Sequence, residues 1–198
     1  MNLLSIAGFL GSGKTTLLLR VAREFSKRFG QIAIIENEIG EIGIDSKYLR
    51  KQGLEIQELF GGCICCVMQL DLIETIKKVE QVVKPDWIIL EPTGAADPGD
   101  VGKAVRQYTS SVEFICNVVL LDAPRFNMFS EIMIPMLTAQ MNAADIVAIN
   151  KIDEVDSPEV KNIARRVGQL SNGASVVPIC AEDGTGVATL IELVLDNG

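Results

Sequence analysis

"GFLGSGKTT", residues Gly8 to Thr16, stands between an apolar run, "LLSIAG" (Leu3 to Gly8), and a segment that repeats Leu17, Leu18, Val21, Ala22, Phe25 and Phe29 on one helical face. An apolar strand, a glycine loop and an amphipathic helix in that order make the βα unit of a phosphate-binding loop, and the stretch matches GxxxxGK[ST] throughout. Gly8, Gly11 and Gly13 let the backbone turn so that successive N–H groups, Ser12 among them, face phosphate oxygens. The helix that follows Lys14, Thr16 included, adds the positive end of its dipole. Lys14 supplies a point charge to the outer phosphates and Thr15 a hydroxyl to Mg²⁺. The loop therefore implies a bound nucleoside triphosphate.

Outward from this loop the chain alternates short apolar runs with helical periodicity. "QIAIIEN" (Gln31 to Asn37), "LEIQELF" (Leu54 to Phe60), "DWIILE" (Asp86 to Glu91), "FICNVVLLD" (Phe114 to Asp122), "DIVAIN" (Asp145 to Asn150) and "SVVPICA" (Ser175 to Ala181) read as strands. Leu70, Ile73, Ile76, Val79 and Val83 recur at helical spacing before Pro85, and Val187, Leu190, Ile191, Val194 and Leu195 mark a last helix. Near-continuous apolar strands separated by helices predict a doubly wound α/β fold. Its mainly parallel sheet is covered on both faces, a Rossmann-like three-layer sandwich of the P-loop NTPase kind. Without a repeat or a linker, residues 1–198 read as a single domain.

Composition narrows the partners. The 198 residues carry 26 acids against 18 bases and a net charge of −8, which disfavours general binding to nucleic acid or to anionic membrane. The longest apolar stretch, Val112 to Ala123, is broken by Glu113, Asn117 and Asp122 and falls short of the roughly 20 residues that span a bilayer. The start reads as lacking a basic leader, and five irregularly spaced cysteines make no secreted disulfide framework, so a cytoplasmic location is expected.

Three further strand ends carry nucleotide chemistry. In "NKID", Asn150 to Asp153, the Asp153 carboxylate can accept both the ring N–H and the exocyclic amine of guanine, Asn150 can serve the other edge, and Lys151 can lie across the base. That donor pair is absent from adenine, so GTP is favoured. "CAEDG", Cys180 to Gly184, follows the next strand, and the backbone N–H groups of Cys180 and Ala181 are candidates for the guanine oxygen. In "ILEPTG", Ile89 to Gly94, Glu91 stands where a strand-end acid holds Mg²⁺ or its water shell, and Gly94 lets an amide approach the γ-phosphate. Lys14, Thr15 and Glu91 are thus the candidate catalytic residues. The acid- and glycine-rich "ENEIGEIGID", Glu36 to Asp45, suits a segment that changes with the γ-phosphate.

"GGCICC", Gly61 to Cys66, places Cys63, Cys65 and Cys66 within four positions of a chain that has no histidine. Three thiolates can converge on a soft ion such as Zn²⁺ or Cu⁺; a turn with buried thiols and a redox pair are the other readings, the latter at odds with a spacing that is not CxxC. Cys116, in an apolar strand, reads as core, and Cys180 as packing in the nucleotide pocket.

"GFLGSGKTT", "NEIGEIGID", "GGCICC", "EPTG" and "NKID", in this order and at these separations, resemble the GTPase domain of the CobW family, relatives of the hydrogenase and urease nickel-chaperone GTPases. The resemblance covers essentially the whole chain. It implies a GTPase that cycles between GTP and GDP with Mg²⁺ and acts as a metallochaperone or insertase for Zn²⁺, Co²⁺ or a similar ion held by Cys63, Cys65 and Cys66. Its clients would be metalloproteins of the kind tied to cobalamin synthesis, zinc homeostasis or metalloenzyme activation. It further places Glu38, in "NEIG", near the cysteines as a fourth ligand, and it allows a homodimer. Family members usually carry a C-terminal domain, which is absent from these 198 residues. With neither an arginine finger nor a water-orienting glutamine legible, turnover is expected to be slow and partner-stimulated. Phe9 stands where some related dimeric ATPases have an additional lysine. A nucleotide-gated protein-binding switch or corrinoid-enzyme activator, with structural cysteines and no metal transfer, is the alternative.

Overall fold

A computed structural model describes residues 1–36, 55–58, 67–92 and 98–197, with side chains from 72 onward in the third of these stretches and backbone alone in 55–58. The apolar runs form β1 (Asn2–Gly8), β2 (Ile32–Glu36), β3 (Glu55–Glu58), β4 (Trp87–Glu91), β5 (Phe114–Asp122), β6 (Ile146–Asn150) and β7 (Ser175–Pro178). They make one seven-stranded sheet in the order β3-β2-β4-β1-β5-β6-β7, and every neighbouring pair runs parallel. The crossovers that parallel neighbours need run through α1 (Lys14–Arg28), α2 (Val67–Val82), α3 (Pro98–Tyr108), α4 (Phe126–Ile132), α5 (Ile134–Ala143) and α6 (Ser157–Leu170), and α7 (Val187–Asp196) follows the last strand.

Strand alternation separates the two covering layers. Leu4 and Ile6 of β1 point to the face where Leu17, Leu18, Val21, Ala22 and Phe25 of α1 and Leu190 and Ile191 of α7 pack. Leu3 and Ala7 point to the other face, where α2 and α3 cover one half of the sheet and α4, α5 and α6 the other. This is the doubly wound three-layer arrangement the periodicity predicts. At the amino ends of the strands Phe25 meets Trp87 edge-on at 5.0 Å, and Trp87 meets Phe114 in the same manner at 6.0 Å. That aromatic wedge ties α1, β4 and β5 together at the end of the sheet away from the glycine loop.

The differences from the expected boundaries have local causes. Phe29 does not extend the first helix; it is the C-cap, in extended conformation, and only partly buried. The last strand stops at Pro178, which an edge strand tolerates because its missing N–H faces no neighbour. Ile179 still donates its N–H to Ile149 O at 2.7 Å. Between β5 and β6, where no helix bounds were predicted, Pro135 at the start of α5 separates it from α4 at Met133.

The chain leaves β1 toward β2, returns to β4 beside β1, and then crosses to β5 on β1's other side. The order therefore reverses at β1, and the crevice at the carboxyl ends of β4, β1 and β5 is where such sheets bind ligands.

Candidate nucleotide site

The glycine loop fills that crevice. Gly8, Gly11 and Gly13 all have positive φ, and Gly13, at +96°, is the N-cap of α1 with no side-chain cap, which leaves the first-turn N–H groups for a ligand. A Cβ on Gly13 would collide with Asn150 Nδ2. Lys14 is only 7% exposed; its ammonium donates to Phe9 O at 3.4 Å and lies 3.8 Å from Glu91 Oε1. Thr15 donates its hydroxyl to Glu91, with 3.1 Å to Oε2 and 3.4 Å to Oε1. Thr16 follows on the exposed side of the first turn, and Ser12 is fully buried with an Oγ that has no partner among the described residues. The three candidate catalytic residues, drawn from two strand ends, thus meet at one point. A hydroxyl and a carboxylate that converge are hard oxygen donors, the chemistry that suits Mg²⁺, and the structure places them beside the lysine of the phosphate loop.

Asn150, 2% exposed at the end of β6, joins the phosphate loop to the base loop. Its Nδ2 donates to Ser12 O at 2.8 Å and its Oδ1 accepts from Ala181 N at 2.8 Å. The Ala181 amide, expected to face a guanine oxygen, is therefore already shared with Asn150. Arg20, two turns into α1, donates from Nε to Ala181 O and from Nη2 to Glu182 O, so α1 clamps the Cys180–Gly184 loop from behind. Asp153 lies exposed in a 3₁₀ turn, Ile152–Glu154, near the Cys180 thiol. Burial, and after it the neighbouring Asp153 carboxylate, push that thiol above its ordinary range. Cys116 is core, as expected, and burial with Asp145 nearby raises its thiol to about 12.

Lys151 has a left-handed backbone, φ 62°, and its ammonium donates to Asp122 Oδ2 at 2.8 Å. Asp122 and Arg125 carry no motif and were not anticipated, yet both belong to this site. Asp122 ends β5 opposite Asn150 in the register, is 2% exposed, and also accepts from Arg125 Nε at 2.8 Å. Burial raises its pKa, but the hydrogen bonds from Lys151 and Arg125 overcome this and hold the carboxyl below its usual 3.8. The available signal was an acid ending an apolar strand, "VVLLD", as Glu91 ends "WIILE". Arg20 had no comparable signal, because its role depends on a loop more than 150 residues away.

Glu38, Cys63, Cys65, Cys66 and Gly94 lie outside the described residues, as does all of the Glu36 to Asp45 segment except Glu36. Among the described residues no group of three or more acids or cysteines is placed to hold a metal ion. No helix among them is long and apolar enough to cross a membrane.

Comparison with known proteins identifies the family. The zinc chaperone YeiR of Escherichia coli (strain K12) is 31% identical over 190 residues, a match covering 95% of this chain and 57% of that protein. The zinc chaperone CobW of Sinorhizobium sp is 32% identical over 224 residues, covering 98% of this chain and 62% of its own length. The chain thus spans less than two thirds of these relatives. The crystal structure of the hydrogenase maturation factor HypB from Archaeoglobus fulgidus superposes with a TM-score of 0.73 at 17% identity, covering 99% of this chain and 89% of that one, which shows a shared fold. A family model described as "CobW/HypB/UreG, nucleotide-binding domain" matches residues 2–178, from β1 through the end of β7, and the chain belongs to that family.

Proposed function

We propose that this chain binds and hydrolyses GTP and couples its nucleotide state to a transition-metal ion held at Cys63, Cys65 and Cys66 with Glu38. The observation that carries the nucleotide half is the convergence of Lys14, Thr15 and Glu91 at the mouth of the phosphate loop. The guanine preference rests on Asn150, fixed from both sides, and on Asp153 beside it. The metal half is supported by the zinc-chaperone relatives together with the soft-donor chemistry of three clustered thiols.

Phosphate binding would draw Lys14 from Phe9 O toward the β- and γ-oxygens, while the amides of Gly11 to Thr15 take up negative charge along the loop. Thr15 and Glu91 would hold Mg²⁺, which when bound neutralises phosphate charge. In hydrolysis water attacks the γ-phosphorus, the bond to the β-bridging oxygen breaks, and GDP and phosphate leave. Glu91 is engaged by Thr15 and Lys14 rather than poised as a base, so turnover in isolation is expected to be slow. The Glu36 to Asp45 segment would follow the γ-phosphate and carry Glu38 toward or away from the cysteines, so that hydrolysis loosens the ion for a client metalloprotein.

Base choice is tested with fluorescent nucleotides. The parent chain should bind GDP and GTP and discriminate against ADP and ATP. Asp153→Asn should lose guanine nucleotides and gain xanthine nucleotides, because the amide presents a donor where the carboxylate accepted. Equal binding of ATP and GTP by the parent would overturn the assignment.

A further inference from the structure

One buried carboxylate joins the base side of the site to its phosphate side. Asp122 Oδ2 accepts from Lys151 Nζ at 2.8 Å and from Arg125 Nε at 2.8 Å, and it is ion-paired with Arg125 Nη2 at 2.6 Å. Arg125 reaches on to the phosphate loop, where Nη2 donates to Leu10 O at 3.0 Å. Its guanidinium lies over Gly11, with Nη2 3.2 Å and Nη1 3.5 Å from where a Cβ would stand. The other side of the group rests 5.3 Å from the centre of the Phe129 ring, which stacks on Phe9 of the loop at 4.3 Å. Carboxylate, carbonyl and ring fix the guanidinium in one place.

The bond to Leu10 O has a consequence one atom further along. In a trans peptide the C=O and N–H point in opposite directions, so anchoring Leu10 O sets the direction of the Gly11 N–H, one of the loop amides that face phosphate. Lys and Arg side chains are among the costliest to order, and here Asp122 orders both when the chain folds rather than when nucleotide binds. The cluster of one anion and two cations also leaves a net positive charge beside the phosphate loop.

We infer that Asp122 and Arg125 are positioning residues for the nucleotide. Arg125 sets the Leu10–Gly11 corner that receives the outer phosphates, and Asp122 holds both that arginine and the lysine that lies across the base. The inference rests on the nucleotide-binding reading above and adds two residues that no nucleotide motif contains. Arg125 acts on phosphates beyond the first, whereas Asp122 acts on base and phosphates together.

The test measures GDP and GMP affinities by competition against a fluorescent GDP, with a thermal melt of each variant. Arg125→Lys keeps a cation for Asp122 but cannot bridge to Leu10 O while covering Gly11; it should weaken GDP roughly tenfold, as expected for a lost charged hydrogen bond, and GMP by about twofold or less. Asp122→Asn should weaken both ligands, and combined with Lys151→Met it should cost less than the two single changes together, because Lys151 acts through Asp122. GDP affinity unchanged in Arg125→Lys, equal losses for GDP and GMP in that variant, or additive effects of Asp122→Asn and Lys151→Met would each overturn the inference. Arg125→Met, folded or not, leaves the Lys variant decisive. A parent chain that binds no GDP removes the nucleotide reading as well, whereas a parent that binds GDP alongside unaffected variants removes this inference alone.

Discussion

Asn150 serves two loops with one side-chain amide, and the residues around it leave little room for change. Gly13 is the clearest case, because its φ of +96° strains any other residue and a Cβ would strike Asn150 Nδ2. Gly13→Ala should therefore lower stability by about 1–3 kcal/mol and weaken GDP binding on the order of a hundredfold, read by denaturant melts and nucleotide titration. Asp122 gives a pH signature. Its carboxyl is held below the usual 3.8, so its stabilisation is complete above that value and disappears as pH falls through the lower, folded-state value. Asp122→Asn should cost about 1–3 kcal/mol near neutral pH, less than the roughly 3–5 of a fully buried broken pair because Lys151 and Arg125 reach solvent. Urea midpoints of parent and variant should stay a constant distance apart above about pH 5 and converge as pH drops below 3.8. A gap that persists in acid would show that the charge of Asp122 contributes nothing.

At the scale of elements, the glycine loop and the strand-end acids do different work from the helix caps. Asp156 caps α6, its carboxylate accepting from Glu159 N at 2.8 Å, on the side of the sheet away from α1. Asp156→Ala should lower stability by about 1 kcal/mol and leave GDP affinity unchanged, since its carboxylate caps its own helix. A parallel loss of affinity would mean that α6 and the site move together. The strands and most helices were legible because burial on both faces of a parallel sheet demands continuous apolar runs, as in "DIVAIN" and "DWIILE". Lys14, Thr15, Asn150 and Asp153 were legible as candidates because phosphate and guanine recognition would impose residue types at fixed spacing. Arg20, Asp122 and Arg125 were not, because each acts across the sheet on a partner remote in sequence or on a neighbour whose use only the fold reveals. Pro178 ended a strand that apolar periodicity alone carried on to Ala181.

For the whole molecule, the account joins two sites through one stretch of chain. The proposed nucleotide crevice lies at the carboxyl ends of β4, β1 and β5; in sequence Glu38 follows β2 and the cysteines follow β3, both strands of the same parallel sheet. If the Glu36 to Asp45 segment answers to the γ-phosphate, GTP must change metal affinity, and by linkage the metal must change GTP affinity by the same factor. The direct measurement is titration of the reduced, metal-free chain with Zn²⁺ in the presence of Mg²⁺ and either GDP or a non-hydrolysable GTP analogue. Zn²⁺ should bind more tightly with the GTP analogue by about fivefold or more, and Cys65→Ser should abolish the difference. Equal Zn²⁺ affinity in the two nucleotide states would contradict this coupling.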